Sequence, residues 1–254
     1  MHFSPLPRLA LALVGLFLSA SLIVPLPFTV LEPGGGTNVL STVIEIHGAK
    51  TYPNTGKLLL MTVLATSPSS PIFGADVLYS WMRGDYIVLP RSVVYPPQES
   101  AKQSDARNTA DMKNSQRSAT AAALAYLGYP TSQKAPTVAI TLRDTGGPSG
   151  GLIFALGIIE KLTPSNLLHG RTVAGTGTID AAGNVGPIGG IEDKFIAARR
   201  AGATVFLAPS GNCNDVHHIP KGLTLYSVST LAEAVSVLKN PTAAIPHCTW
   251  QRNR

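Results

Sequence analysis

The sequence predicts an α+β fold preceded by one N-terminal transmembrane helix. Three observations carry this: an uncharged apolar run from Leu9 to Leu31, β-branched and aliphatic stretches interspersed with helical patterns, and a glycine-rich turn at Asp144–Leu152 that joins strand to helix. Strict βαβ alternation would favour a doubly wound sheet, and the chain lacks it. With 254 residues, 44% of them apolar, it can bury a sizeable core. The formal charge of +6 is scattered, only 13% of residues are charged, and no Lys/Arg block is interleaved with aromatics, so no nucleic-acid partner is expected. Arg199, Arg200, Arg252 and Arg254 read as solvated surface. Glycine and proline are frequent but not periodic, which excludes collagen and repeat arrays.

The run Leu9–Val24 is interrupted only by Gly15, Ser19 and Ser21. It reads as a membrane-directing segment near the lower limit of the ~17 to 25 residues that span a bilayer, either a signal anchor or the apolar region of a cleaved signal. The anchor is favoured, because Ala20-Ser21 is followed by Leu22-Ile-Val-Pro25 rather than by a polar mature start. Arg8 before it and Glu32 after it put the N-terminus in the cytoplasm and the body outside, a single-pass arrangement in the cell membrane. Residues 1–28 are thus the anchor, 29–245 the folded body and 246–254 a tail.

Pro25 and Pro27 end the first helix, and Glu32-Pro-Gly-Gly-Gly36 reads as a flexible exit. Val39–Ile46 and Lys57–Thr66 read as strands separated by turn signals, and Tyr86–Val94 adds another. Pro96–Asp111 is polar and reads as an exposed loop. Met112–Leu127 carries Ala119, Ala122, Ala123 and Tyr126 at helical spacing, stopped by Gly128 and Pro130. Val138, Ile140 and Leu142 make a strand that feeds the glycine-rich turn, and a helix Ser149–Leu162 follows. Thr172–Ile179 is a glycine-interrupted strand, Asp180–Gly190 a connection, and a helix carrying Lys194 comes next. Val205–Ala208 and Leu223–Val228 are short strands, and Thr230-Leu-Ala-Glu233 is a capping box for a last helix to Lys239.

The chemistry centres on Ser149, which lies between two glycine pairs. Gly146 and Gly147 permit a tight turn, and the fixed φ of Pro148 suits a first helical turn, where free N–H groups can stabilise an oxyanion. A serine there needs a base, and no histidine with an aspartate partner is evident. Lys194 lies 45 residues downstream, on a helical face with Ile191, Ala198 and Ala201. Burial among apolar groups would lower its pKa toward what a base requires, whereas Glu192 and Asp193 would oppose that shift. A surface lysine on an amphipathic helix is the competing reading of the same spacing.

Gly146-Gly-Pro-Ser-Gly-Gly-Leu152 resembles the Gly-Pro-Ser-Ala-Gly signature of Lon proteases, and Val185-Gly-Pro-Ile-Gly-Gly-Ile-Glu-Asp-Lys194 resembles that family's Pro-Ile-Gly-Gly-(Leu/Ile)-x-x-Lys motif. Between them Ala174-Gly-Thr-Gly177 looks like the family's Met-Thr-Gly strand. The resemblance is best over residues 135–240. It implies the Lon proteolytic-domain fold and a serine endopeptidase with Ser149 as nucleophile and Lys194 as base. Thr176 supports the amine, and Gly147, Pro148 and Gly150 shape the turn. A peptide or protein is the implied substrate, and the family's rings make a homo-oligomer possible.

Two departures narrow this reading. No Gly-x4-Gly-Lys-(Ser/Thr) loop occurs, so no ATP partner is expected. The anchor and the Gly-Gly before Pro148 resemble bacterial membrane-anchored peptidases that join a PDZ domain to a Lon-type domain, yet the few residues between Gly128 and Val138 leave no room for a PDZ domain there. Gly150 stands where alanine is usual, which should loosen the helix start by about 1 kcal/mol at most. An inactive membrane-tethered binding domain on the same fold would not need both Ser149 and Lys194. Nucleotide binding is poorly supported, since Gly175-Thr-Gly177 lacks a third glycine.

No cofactor is implied, and no metal site, because His217, His218 and Cys213 are too loosely grouped. Cys213 and Cys248 are the only cysteines, and in an exported domain they are expected to form a disulfide. Closing that loop would contribute roughly 3 to 4 kcal/mol in the chain-entropy view.

Overall fold

The computed structural model describes residues 8–129, 135–142 and 145–240. In chain order the elements are α1 (Arg8–Ile23), β1 (Pro25–Leu26), β2 (Phe28–Asn38), β3 (Ile44–His47), β4 (Lys57–Ala65), β5 (Ile72–Phe73) and α2 (Gly74–Arg83). There follow β6 (Ile87–Pro90), α3 (Arg91–Val94), α4 (Ala101–Tyr126), β7 (Thr137–Ile140), α5 (Gly151–Leu162), β8 (Thr172–Gly175), β9 (Thr178–Ile179) and β10 (Val185–Gly186). The described residues end with α6 (Ile191–Arg200), β11 (Val205–Pro209), a 3-10 turn (Ser210–Asp215), β12 (Thr224–Val228) and α7 (Leu231–Lys239). Helices and strands are mixed as an α+β reading requires.

Two compact units result, one of residues up to 32 together with 65–104, the other of residues 33–64 together with 105 onward. In the first, β1 pairs antiparallel with β5, and the start of β2 pairs antiparallel with β6. Thr66 ties these strands together, its N–H donating to Val30 O at 3.0 Å while its Oγ1 accepts from Val30 N–H at 3.1 Å. α1 exposes Leu11, Leu16, Phe17 and Ile23. Among the described residues no helix is long and apolar enough to cross a membrane. The 16 residues of α1 rise only about 24 Å, against a hydrocarbon core of about 30 Å.

The second unit is built on parallel strands in the order β12-β11-β8-β4, with β2 beside β4. Apolar side chains alternate across this sheet, as the two-residue period of a strand dictates. Leu58 and Leu60 of β4, Val173 of β8, and Val205 and Leu207 of β11 join α4, α5 and α7 in one core. Leu59 and Met61, Ala174, and Phe206 and Ala208 join α6 in the other. α5 and α6 therefore pack on opposite faces. Phe195 of α6 meets Phe206 edge-on at 4.8 Å, a favourable aromatic geometry.

Several sequence expectations need correction. The triple glycine at 34–36 is not a flexible exit but part of β2, because Thr62 Oγ1 accepts from Gly35 N–H and donates to Gly35 O, both at 3.1 Å. A Cβ at Gly34 would lie 2.5 Å from Thr62 Oγ1 and 2.6 Å from Thr62 O, so only glycine allows that approach. The strand expected at 39–46 shrinks to β3, and that at 86–94 gives way to α3 after Pro90. Residues 101–111 are helical rather than loop. Ser100 Oγ accepts from Gln103 N–H at 3.3 Å and Gln103 Oε1 accepts from Ser100 N–H at 3.0 Å, a capping box that starts α4. Of the capping box expected for α7 one half is present: Thr230 Oγ1 accepts from Glu233 N–H at 3.1 Å, whereas the Glu233 carboxylate accepts from Ser229 N–H at 2.6 Å rather than from Thr230. The expected Cys213–Cys248 disulfide has one member, Cys248, outside the described residues.

Candidate active site

Ser149 sits in the turn just before α5 rather than inside its first helical turn, which begins at Gly151. The turn is held from three sides. Ser115 Oγ of α4 donates to Pro148 O at 2.9 Å, Gly177 N–H donates to Ser149 O at 2.8 Å, and Leu152 N–H donates to Gly177 O at 3.1 Å. Gly147 has φ of +86°, a conformation that L side chains rarely adopt, and this lets the chain reverse ahead of Pro148. At Gly150 a Cβ would fall 2.8 Å from Leu60 Cδ1 and 2.9 Å from Phe154 Cε2. The glycine there accommodates close packing against β4, which a propensity argument about helix starts does not see. The N–H groups of Ser149 and Gly150 carry no hydrogen bond among the described residues, so both are available as donors.

Lys194 enters from the other face of the sheet. Gly190, with φ of +65°, begins α6, and Lys194 lies one turn into it, buried with Ile191, Phe195 and Ala198. The expected helical face is therefore apolar, except that Ala201 is exposed. Lys194 Nζ lies 2.9 Å from Ser149 Oγ and 3.0 Å from Thr176 Oγ1. Thr176, wholly buried just past the end of β8, donates in turn to Ser149 O at 3.1 Å. One threonine thus fixes both the amine and the backbone that carries the serine.

Burial pushes the Lys194 amine down to about 8, against the opposing influence of Asp193. Desolvation disfavours the charged amine, and at pH 7 about a tenth of such groups are neutral, against roughly 0.03% for an ordinary lysine. The surface-lysine alternative is excluded by the 3% exposure of Lys194. Glu192 does not act on the amine; its Oε1 accepts from His217 and His218 N–H at 2.7 and 2.8 Å. Both histidines are exposed, and among the described residues no cluster of His, Cys, Asp or Glu could hold a metal.

A cleft of about 620 Å³ opens over Ser149. It is lined by residues 60–64 of β4, Met112 of α4, the turn around Ser149 and residues 187–189. This is the size of a small-ligand or peptide-side-chain site, lined mainly by apolar residues with Ser149 and Lys194 among them. Sequence reasoning did not identify β4, Met112 or Asn212 as parts of this site. Asn212 is buried behind residues 187–189, and nothing in a polar loop sequence distinguishes it from its exposed neighbours.

Residues 134–240 match the family of the Lon protease (S16) C-terminal proteolytic domain. Lon protease 2 of Herpetosiphon aurantiacus is 38% identical over 101 residues, which is 37% of this chain and 12% of that protein. Lon protease 1 of Bacillus subtilis is 39% identical over 93 residues, 35% of this chain and 12% of the other. The Lon protease of Haemophilus influenzae is 36% identical over 104 residues, 39% of this chain and 13% of the other. The chain spans about an eighth of the length of the curated relatives it matches.

Proposed function

We propose that this chain, whose residues 134–240 match the Lon protease (S16) C-terminal proteolytic domain, is a serine endopeptidase that works through Ser149 and Lys194. The observation that carries the proposal is the 2.9 Å contact between the serine hydroxyl and a buried lysine amine. As the neutral amine, Lys194 accepts the hydroxyl proton while Ser149 Oγ bonds to the peptide carbonyl carbon. The resulting ammonium returns the proton to the departing amine, leaving an acyl-enzyme. Water, deprotonated by the same amine, then releases the acid. The Ser149 and Gly150 N–H groups stabilise the oxyanion in each half-reaction. Thr176 keeps the amine within reach of Oγ.

The chain contains no phosphate-binding loop of the Gly-x4-Gly-Lys-(Ser/Thr) type, and hydrolysis is proposed to proceed without ATP, on peptides or unfolded protein. We further infer that α1, uncharged beyond Arg8 and exposing apolar side chains, belongs to a membrane anchor that holds the body outside the cytoplasm. Family rings make assembly into a homo-oligomer part of the same proposal.

Labelling with a fluorophosphonate probe tests the central assignment. Wild type should be labelled, and should cleave fluorescein-casein. Ser149→Ala and Lys194→Ala should each abolish both, with the double variant no worse than either single one. Substantial turnover by Lys194→Ala at pH 7 would overturn the dyad.

A further inference from the structure

Asn212 holds the wall of the cleft from behind. Its Oδ1 accepts from Ile188 N–H at 2.9 Å and its Nδ2 donates to Ile188 O at 2.7 Å, while Nδ2 also donates to Asp215 Oδ2 at 2.8 Å. One carboxamide that takes both backbone groups of one residue reproduces the hydrogen-bonded pair of an antiparallel ladder. For this, Ile188 N–H and C=O must point the same way, as they do in extended backbone. The neighbouring groups, Pro187 C=O and Gly189 N–H, then point to the opposite edge.

That edge is open. Residues 187–189 line the cleft beside Ser149 and Lys194, and Pro187 and Gly189 are exposed. Neither Pro187 C=O nor Gly189 N–H is hydrogen-bonded among the described residues. The far side is closed and firm: Asn212 is 2% exposed, and Ile188 packs on the core that contains α6. Gly211 backs Pro187 so closely that a Cβ there would lie 3.2 Å from Pro187 Cβ.

Resting on the peptidase reading above, we propose that Pro187 C=O and Gly189 N–H form a docking edge for the extended backbone of a peptide substrate, with Asn212 as the positioning residue that keeps this edge straight. The substrate adds one short strand, donating a backbone N–H to Pro187 O and accepting from Gly189 N–H. Selection by this edge is indifferent to side chains, because it reads only backbone groups.

The test separates binding from chemistry. In Asn212→Ala, KM for fluorescein-casein should rise about tenfold, with kcat and the rate of labelling by a methyl fluorophosphonate, which has no peptide backbone, kept within about twofold. Loss of labelling and kcat together at unchanged KM would mark Asn212 as merely structural and overturn the proposal. A second measurement has a wild-type arm that does not depend on the variant folding. A peptide that wild type cuts is N-methylated at each position in turn, and one position should raise KM about tenfold in wild type and add nothing further in Asn212→Ala. A flat N-methyl scan in a labelled, active wild type overturns the docking edge alone. A wild type that neither takes the probe nor cuts casein overturns the peptidase reading, and this inference with it.

Discussion

Replacing Lys194 by methionine should make the protein inactive and, at neutral pH, more stable. Burial lowers the amine from 10.5 to about 8, so the folded state disfavours the charged form by roughly 3 kcal/mol. Below pH 8 the amine is protonated in both folded and unfolded chains, and the whole penalty is present. Between pH 8 and 10.5 the unfolded chain holds a proton that the folded chain has released, so wild-type stability gains from this group as pH rises. Methionine has similar length and no charge to desolvate. It also loses the bonds to Ser149 and Thr176, worth roughly 1–2 kcal/mol together, while Thr176 keeps its bond to Ser149 O. The net expectation is a gain of about 1–2 kcal/mol at pH 7 that vanishes or reverses by pH 10. Urea unfolding of both proteins at the two pH values measures this, since other titrating groups cancel in the difference. A variant less stable at pH 7, or a difference independent of pH, would refute a desolvated amine and with it the reason Lys194 can act as base.

Three further outcomes follow from other parts of the structure. Thr176→Val removes a hydrogen bond that favours the ammonium, so kcat should fall about tenfold and the acid limb of the pH–rate profile should move below pH 8; a profile that stays in place refutes the role of Thr176. Gly34→Ala should cost about 2–3 kcal/mol in urea unfolding, because its Cβ would meet Thr62 backbone, whereas Gly35→Ala, with open space around it, should be near neutral. If α1 belongs to an anchor, the full chain should stay with membranes through carbonate extraction, and Leu16→Lys with Phe17→Lys should release it; equal extraction of both proteins counts against the anchor.

Much of the dyad was legible because its geometry depends on short-range constraints. Glycine on both sides of Pro148-Ser149, and Gly189-Gly190 before a helix with an apolar lysine face, are needed where backbone turns within a few residues. The supporting shell depends on contacts that are distant in sequence. Gly34 to Gly36 reads as flexible by composition, yet Thr62, 27 residues from Gly35, makes it strand. The first turns of α4 are polar and exposed and so carry no apolar period, although Ser100 and Gln103 did spell a capping box. Asn212 left no signal, because its value comes from meeting Ile188, 24 residues away, at the back of the cleft.

Every residue of α5 except Lys161 is buried, and Ser149 is joined directly to its start. Amides in such a helix exchange only when the unit opens as a whole. Ser149 therefore shares the fate of that whole unit: loss of activity on heating should coincide with its cooperative unfolding instead of preceding it.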